Sequence, residues 1–231
     1  MKFSRRLQKL LKYSLEKCPL TFPLMESKRL SKAERRISNW ENAGRKGRPP
    51  EPVKHRNLLE IARKNGLKLL IETGTYHADT LYALRNEFEE LHSVELSDDY
   101  YSLSRFRLSG YPHIHLHHGD SAIVLPRIVE ALQRPALFWL DAHYGIYRDH
   151  GAAEGVTYAP VLQELGHIFS KGGAVRHCVA IDDAHYFGSD KNYPTIDEVE
   201  KFFTDKNISV MIRNDKELDC LSIIPQSAAT P

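Results

Sequence analysis

Short apolar runs alternate with helix-like segments from residue 57 onward. Strand-like runs lie at 67–73, 91–96, 114–118, 136–141 and 177–182, and helical patterns at 57–65, 79–89, 98–108, 121–132, 158–170 and 195–204. Strands that alternate with helices of this length form βαβ units in a parallel sheet. Two last β-rich runs, 208–213 and 219–224, have no helix between them and should pair antiparallel. The pattern predicts a Rossmann-like, doubly wound α/β fold, mostly parallel with an antiparallel C-terminal strand.

A basic, helical extension precedes this region. Residues 1–56 carry 16 Lys and Arg against 5 Glu, whereas residues 57–231 carry 16 against 25 acidic residues. Residues 3–17 have the spacing of a basic amphipathic helix, and Ser31 with Glu34 predicts a capping box that starts a second helix. Residues 44–52 have the composition of a linker. We therefore predict a basic N-terminal extension at 1–56 and a Rossmann-like domain at 57–231.

Three roles remain open for the extension. It packs as a cover on the domain, lies on an anionic membrane surface, or binds nucleic acid. Its Leu-rich face favours the first two roles, because phosphate binding needs no apolar stripe. The sequence does not indicate the oligomeric state.

The remaining composition is that of a globular protein without evident targeting signals. No apolar run approaches the roughly 18–20 residues of a membrane span, and no secretion signal is evident. Cys18, Cys178 and Cys220 are far apart and match no metal-binding spacing. These features predict a reduced, cytoplasmic protein, with peripheral attachment at the inner membrane face as the alternative if the extension binds lipid.

Acidic residues stand where the predicted parallel strands end. The residues are Glu72, Glu95, Asp120, Asp141, Asp182 and Asp183, and His143 and His185 follow the last two strands. Ligands of such sheets bind outside the carboxyl ends of the strands. Asp120 also suits a helix cap. The charge of Glu95 lies within an apolar strand, where it is costly without a partner.

The first strand leads into a turn with a single glycine, Gly74. A glycine lets the backbone approach a ligand closely, and the helix that follows offers free N–H groups. Glu95 comes about twenty residues later, the spacing at which a carboxylate reaches a ribose diol. The turn lacks the G-x-G-x-x-G pattern, so a nucleoside ligand without phosphates fits better than a dinucleotide.

Five motifs carry a resemblance to a known family. They are Ile-Glu-Thr-Gly-Thr-Tyr-His-Ala-Asp-Thr, Ser-Val-Glu-Leu-Ser, His-Gly-Asp-Ser, Phe-Trp-Leu-Asp-Ala-His-Tyr and Ala-Ile-Asp-Asp-Ala. Over residues 67–205 the chain resembles class I S-adenosylmethionine-dependent methyltransferases, and more narrowly bacterial glycan-associated proteins with E-T-G-T-Y and W-L-D-x-H-Y motifs. It is more distantly similar to the metal-dependent O-methyltransferases of macrolide sugars.

The resemblance implies a set of site residues. The donor S-adenosylmethionine would contact Glu72, Gly74, Thr75 and Tyr76 on its methionine side, Glu95 and Leu96 at the ribose, Asp120 and Ser121 at the adenine, and Asp141. Asp141, Asp182 and Asp183 would hold a divalent metal. Two positions depart from the family pattern: Ala78 replaces a glycine, and His143 replaces an acid of the metal-binding turn.

The chemistry expected is methylation of a hydroxyl on a sugar of a surface glycan or a secondary metabolite. An alcohol must lose its proton, and either Mg²⁺ held by Asp141, Asp182 and Asp183 or a histidine base assists this step. His143 and His185 are the candidate bases, and residues 144–158 form a candidate acceptor lid. An RNA-directed methyltransferase and a non-catalytic binding module remain the alternatives.

A run of histidines at 113, 115, 117 and 118 lies in and directly before the predicted third strand. The first three alternate along the strand and so share one face. By itself this spacing favours side chains that fill space or face solvent over a metal site.

Overall fold

The computed structural model describes residues 20–141, 160–170 and 176–226, together with Leu7, Gln8, Leu10, Leu11, Ser14, Leu15 and Cys18. The helices in these ranges are α1 (Phe22–Asn42), α2 (Glu51–Lys64), α3 (Asp79–Leu84), α4 (Asp98–Leu108), α5 (Ser121–Ala131), α6 (Val161–Ile168), a 3₁₀ helix (Ala184–Tyr186) and α7 (Ile196–Asp205). The strands are β1 (Leu69–Thr73), β2 (Glu90–Glu95), β3 (Ile114–His118), β4 (Leu137–Leu140), β5 (Cys178–Ile181), β6 (Val210–Asp215) and β7 (Cys220–Pro225).

The seven strands form one sheet in the order β3-β2-β1-β4-β5-β7-β6. The first five pair in parallel, and β7 is antiparallel to both β5 and β6. The predicted Rossmann-like fold is therefore confirmed, including the antiparallel C-terminal strand. The strand order reverses between β1 and β4, and we call this place the switch point. The carboxyl ends of these two strands form the expected ligand-binding crevice.

Helices cover both faces of the sheet. Leu69 and Ile71 of β1 belong to the cluster that packs against α5, α6 and α7, whereas Leu70 belongs to the cluster beneath α2 and α3. All five residues of β1 are buried, as expected for a central parallel strand. The first strand therefore presents its C-terminal residues to the crevice from a rigid position.

The predictions for the N-terminal extension need two corrections. α1 begins at Phe22, so Ser31 lies within a helix and the predicted capping box at Ser31 and Glu34 is wrong. Pro23 stands in the first turn, where its fixed φ suits a helix start. α2 begins at Glu51, not at residue 57, because Pro52 likewise fits a first turn.

These helix limits shorten the linker. The predicted boundary at residue 56 falls inside α2, and we propose residues 43–50 as the linker instead. Most of the helix predicted at 3–17 lies outside the described residues, as do His143 and the segment 144–158. In the described ranges, no helix combines the length and apolar character that crossing a membrane requires.

Candidate functional site

The carboxyl ends of the central strands are aligned at one edge of the sheet. The backbone N–H of Asp141 donates to the carbonyl of Thr73 at 3.0 Å, and the N–H of Asp182 donates to Leu140 at 3.0 Å. The N–H of Gly74 donates to Val94 at 3.0 Å. The segments that follow β1, β4 and β5 therefore start next to one another along this edge of the sheet.

Four acids at this edge also share one face of the sheet. Glu72, Glu95, Asp141 and Asp182 lie two or four residues beyond Leu70, Leu91, Trp139 and Ala180, which all pack in the cluster beneath α2 and α3. Alternate residues of a strand point to the same face. The acids predicted from the sequence therefore converge across the switch point between β1 and β4.

Glu95 links the glycine turn to β2. Its Oε2 accepts from the N–H of Tyr76 at 2.7 Å, and its Oε1 accepts from the N–H of Ser97 at 2.7 Å. The side chain is buried, and burial raises its pKa. Each carboxylate oxygen accepts more than one hydrogen bond, so a ribose diol can bind in addition to these amides. Leu96 follows directly and is partly buried.

The turn itself has the backbone of a glycine-rich loop. Gly74 has φ 88°, and Tyr76 and Ala78 also have positive φ, of 48° and 56°. Thr75 is buried within the turn, and its hydroxyl lies 2.6 Å from that of Ser93. A non-glycine residue in this left-handed region costs about 1–2 kcal/mol. Ala78, where the resemblance leads one to expect a glycine, therefore adopts a glycine-like conformation at an energetic cost.

Glu72 is a buried carboxyl group at the end of β1. Its side chain accepts a hydrogen bond from the Ser93 hydroxyl at 2.6 Å. Burial raises the pKa of Glu72 to about 8, and hydrogen bonds from Ser93 and Thr80 only partly oppose this effect. The group is therefore mostly protonated at neutral pH, and a positive charge placed beside it would ionise it.

The predicted adenine side lies at the start of α5. Asp120 caps this helix, because its carboxylate accepts from the N–H of Ala122 at 2.9 Å, and Ser121 is buried beside it. Glu164 of α6 reaches the same region: burial raises its pKa to about 7, opposed by the Ser121 and Thr73 hydroxyls. Glu164 was not predicted, although an acid on the apolar face of α6 is a readable signal.

A buried ion pair occupies the end of β5. Lys54 Nζ of α2 lies 2.7 Å from Asp182 Oδ2, and both side chains are buried. Burial lowers the pKa of Lys54, but Asp182 and Glu51 outweigh it and raise the pKa overall. Burial raises the pKa of Asp182 to about 6 despite the opposing charge of Lys54, and burial and Asp182 raise the pKa of Asp141.

The metal set expected from the resemblance is not assembled in this arrangement. Asp141, Asp182 and Asp183 are all described, but these three acids do not form a group whose ligand atoms all lie within 4.8 Å of one another. The ammonium group of Lys54 sits on Asp182, where a divalent ion would have to bind. Asp141, Asp182 and Asp183 therefore do not fit a metal ion as they stand.

Asp183 belongs instead to a cluster with His185 and Asp219. Asp219 accepts from the backbone N–H of His185 at 2.9 Å, and its Oδ2 lies 2.8 Å from His185 Nδ1. Arg48 lies 3.8 Å from Asp183 and 3.1 Å from His185 Nε2. Because a guanidinium group only donates, Nε2 accepts from Arg48 and the Nδ1–H is directed at Asp219.

Three residues of this region were not predicted: Lys54, Arg48 and Asp219. Asp219 directly precedes β7, which runs antiparallel to β5, so its N-terminal end lies at the carboxyl end of β5. The position of Asp219 could therefore have been predicted from the sequence, because β7 was predicted to be antiparallel. Lys54 and Arg48 had no local signal, since they precede the sheet in the chain.

Comparison with known proteins gives structural similarity only. No protein-family model and no curated protein sequence matches the chain. An O-methyltransferase from Bacillus cereus in complex with SAH has 12% identity and a TM-score of 0.55, over 84% of this chain and 90% of that one. An O-methyltransferase from Streptomyces achromogenes, involved in tomaymycin synthesis and in complex with SAM, has 15% identity and a TM-score of 0.54, over 85% and 89%.

An SAH-bound methyltransferase from Podospora anserina has 14% identity and a TM-score of 0.53, over 98% of both chains. These identities are low, so the similarity concerns the arrangement of strands and helices. The chain shares the Rossmann-like fold of these structures.

Proposed function

We propose that the protein is an S-adenosylmethionine-dependent O-methyltransferase that acts on a hydroxyl of a small molecule or glycan. The observation that carries the proposal is the convergence of Glu72, Glu95 and Asp141 on one face at the switch point between β1 and β4. Solved structures that share the fold contain SAM or SAH, which supports the same donor. A sugar of a surface glycan or a secondary metabolite is the proposed acceptor.

In this proposal the donor lies across the carboxyl ends of β1, β2 and β4. Glu95 accepts hydrogen bonds from the ribose hydroxyls, and the turn from Gly74 to Tyr76 faces the methionine part. Ser121 and Asp120 lie toward the adenine, and Asp141 lies on the side of the acceptor. Glu72 provides the carboxylate that complements the positive charge of the donor.

His185 is the proposed base for the acceptor. The acceptor oxygen attacks the methyl carbon in line, the carbon–sulfur bond breaks, and its electron pair stays on sulfur. The hydroxyl proton passes to His185 Nε2. Asp219 orients the ring and stabilises its protonated form, because Asp219 Oδ2 lies 2.8 Å from His185 Nδ1. Arg48 must move from Nε2 for this step; its side chain is about half exposed.

A magnesium-assisted version remains a second form of the proposal. It requires Lys54 to leave Asp182 so that Asp141, Asp182 and Asp183 can bind the ion, which would acidify the acceptor hydroxyl. The buried ion pair at 2.7 Å favours the version without metal. Methyl transfer that is unchanged by EDTA supports the histidine mechanism, and transfer that EDTA abolishes and Mg²⁺ restores supports the metal.

Calorimetry with S-adenosylmethionine tests the function directly. We expect saturable binding with one donor per chain, and we expect Glu95→Gln to weaken it about 100-fold or more, because hydrogen bonds to a charged group contribute about 1.5–3 kcal/mol each. Glu200→Gln, an exposed acid on α7, is the control and should bind normally. Absence of binding to the intact protein would refute the proposed function.

Donor binding should depend on pH through Glu72. The pKa of Glu72 is about 8, so below pH 8 the group must lose a proton to complement a cationic donor. We therefore expect affinity to rise with pH up to about 8, with proton release at pH 7 that differs between wild type and Glu72→Gln. The measurement is calorimetry in two buffers of different ionisation enthalpy. Equal proton release in the two proteins would remove this role.

We further propose that the basic extension attaches the protein to an anionic membrane surface. Its described part exposes several large apolar side chains, namely Leu7, Leu11, Leu15, Leu20, Leu24 and Leu30. Exposed leucines beside many basic residues suit a lipid interface better than RNA, whose phosphates need no apolar contact. Sedimentation with anionic vesicles, compared with RNA retention, distinguishes the two surfaces.

A further inference from the structure

Three side chains with metal-ligand chemistry lie side by side on β2 and β3. His92 and His115 are direct partners in the parallel register of these strands. Glu90 precedes His92 by two residues and therefore points to the same face. Two adjacent strands thus hold a carboxylate and two imidazoles in a fixed arrangement. The alternation of histidines in β3 becomes informative only once β2 adds its own pair.

The separations within this group suit a tetrahedral ion. Glu90 Oε1 lies 2.9 Å from His92 Nε2 and 3.5 Å from His115 Nε2, and all three atoms lie within 4.8 Å of one another. Metal–ligand bonds of about 2.0–2.2 Å in a tetrahedral site place neighbouring ligand atoms roughly 3.3–3.6 Å apart. Small side-chain adjustments therefore suffice to close the three atoms around one ion.

Further side chains orient these ligands. His117 Nε2 lies 3.0 Å from His92 Nδ1, and Arg134 Nη2 donates to Glu90 Oε2 at 3.3 Å. With its proton on Nδ1 and directed at His117, His92 offers the Nε2 lone pair to a metal. With Oε2 held by Arg134, Glu90 directs Oε1 to the same point. Partners of this kind typically accompany the ligands of metal sites.

We propose that Glu90, His92 and His115 bind a divalent ion of the zinc type. Two imidazoles and one carboxylate are ligands that Zn²⁺ accepts, and three protein ligands leave a fourth position open for water. A cavity of about 700 Å³ adjoins the group and is lined by Glu90, His92, His117 and Arg134 among others. The side chain of His115 is 44% exposed, so an ion can enter from solvent.

This zinc site is separate from the donor site. Glu90 and Glu95 stand at opposite ends of β2, about 16 Å apart at 3.3 Å per residue. Glu90 and Glu95 also differ by an odd number of positions, so their side chains point to opposite faces. A test of the zinc site is therefore independent of a test of the proposed function.

Metal titration of the full-length, tag-free, chelator-treated protein tests the site. We expect one tight equivalent of Zn²⁺ by calorimetry, and with Co²⁺ as a probe the visible absorption of tetrahedral coordination. His115→Gln should weaken binding by at least the 10–100-fold that changes around metal ligands cause. His118→Gln is the matched control, because this residue is in the same strand, is similarly exposed and faces the other side.

A ligand exchange gives a readout that a purely structural role would not produce. In His115→Cys, bound Co²⁺ should gain a thiolate-to-metal charge-transfer band that the wild type lacks, because position 115 would then supply sulfur. Circular dichroism checks that each variant is folded. Zn²⁺ affinity that is equal in wild type, His115→Gln and Glu90→Gln, or a His115→Cys protein without the new band, would overturn the proposal.

Discussion

Replacing Lys54 with methionine is expected to lower the free energy of unfolding by about 3–5 kcal/mol at pH 8. Lys54 and Asp182 are both buried and lie 2.7 Å apart, and methionine keeps most of the side-chain volume while removing the charge. The substitution leaves Asp182 as an uncompensated charge close to Asp141. Chemical denaturation at several pH values is the measurement.

The loss should depend on pH in a defined direction. A carboxyl group whose pKa is raised by folding destabilises the protein increasingly as pH rises through that pKa. The pKa of Asp182 is about 6 with Lys54 present, and it must rise further without the lysine. The destabilisation should therefore be largest above pH 7 and shrink as the pH falls toward 4 and Asp182 becomes protonated.

Two further variants complete the Lys54 experiment. Lys64→Met, an exposed lysine on the same helix, should change stability by no more than about 0.5 kcal/mol. Lys54→Met combined with Asp182→Asn should recover most of the loss, because it removes both charges. A Lys54→Met protein as stable as wild type at pH 8 would show that the ion pair does not form.

Replacing His185 with alanine is expected to lower kcat about 10²–10⁴-fold, the usual contribution of a general base. Donor affinity should stay unchanged, because the ring contacts Asp219 and Arg48 and no predicted donor residue. The acceptor is first found by screening polyhydroxylated compounds for uptake of a labelled methyl group. Initial rates over a range of pH then provide the comparison.

Chemical rescue gives a second test of the pair formed by His185 and Asp219. Added imidazole should partly restore the rate of His185→Ala, because it replaces the missing base. Asp219→Asn should also lower kcat, because Asp219 orients the ring. His113→Ala, at the amino end of β3, is the control with normal kinetics expected. A His185→Ala enzyme with wild-type kcat would exclude this base.

Several parts of this fold follow from the local pattern of residues. The apolar run at β1 is long enough for a strand and too short for most helices, and it is buried on both faces as such runs require. The absence of a crossover helix before β7 predicted its antiparallel direction, which the structure confirms. The acids Glu72 and Glu95 could be predicted as site residues, because the carboxyl ends of parallel strands lie at the same edge of the sheet.

Other parts depend on contacts between distant segments. Lys54 and Asp182 are 128 residues apart in the chain, and His185 and Asp219 are 34 apart, so no local spacing reports either pair. Lys54 lies on α2, and the prolines at the start of this helix made its first turn look like part of the linker. The ammonium group of this lysine pairs with Asp182 at the end of β5, where the resemblance placed a metal ion.

Residue spacing along single elements was enough to predict the alternation of strands and helices, the direction of β7 and the acids at the strand ends. The charges that neutralise those acids, and the alignment of Glu90, His92 and His115 on β2 and β3, depend on how distant elements pack together. Register and helix docking set these contacts, and they arise from packing the whole core, which no single segment encodes.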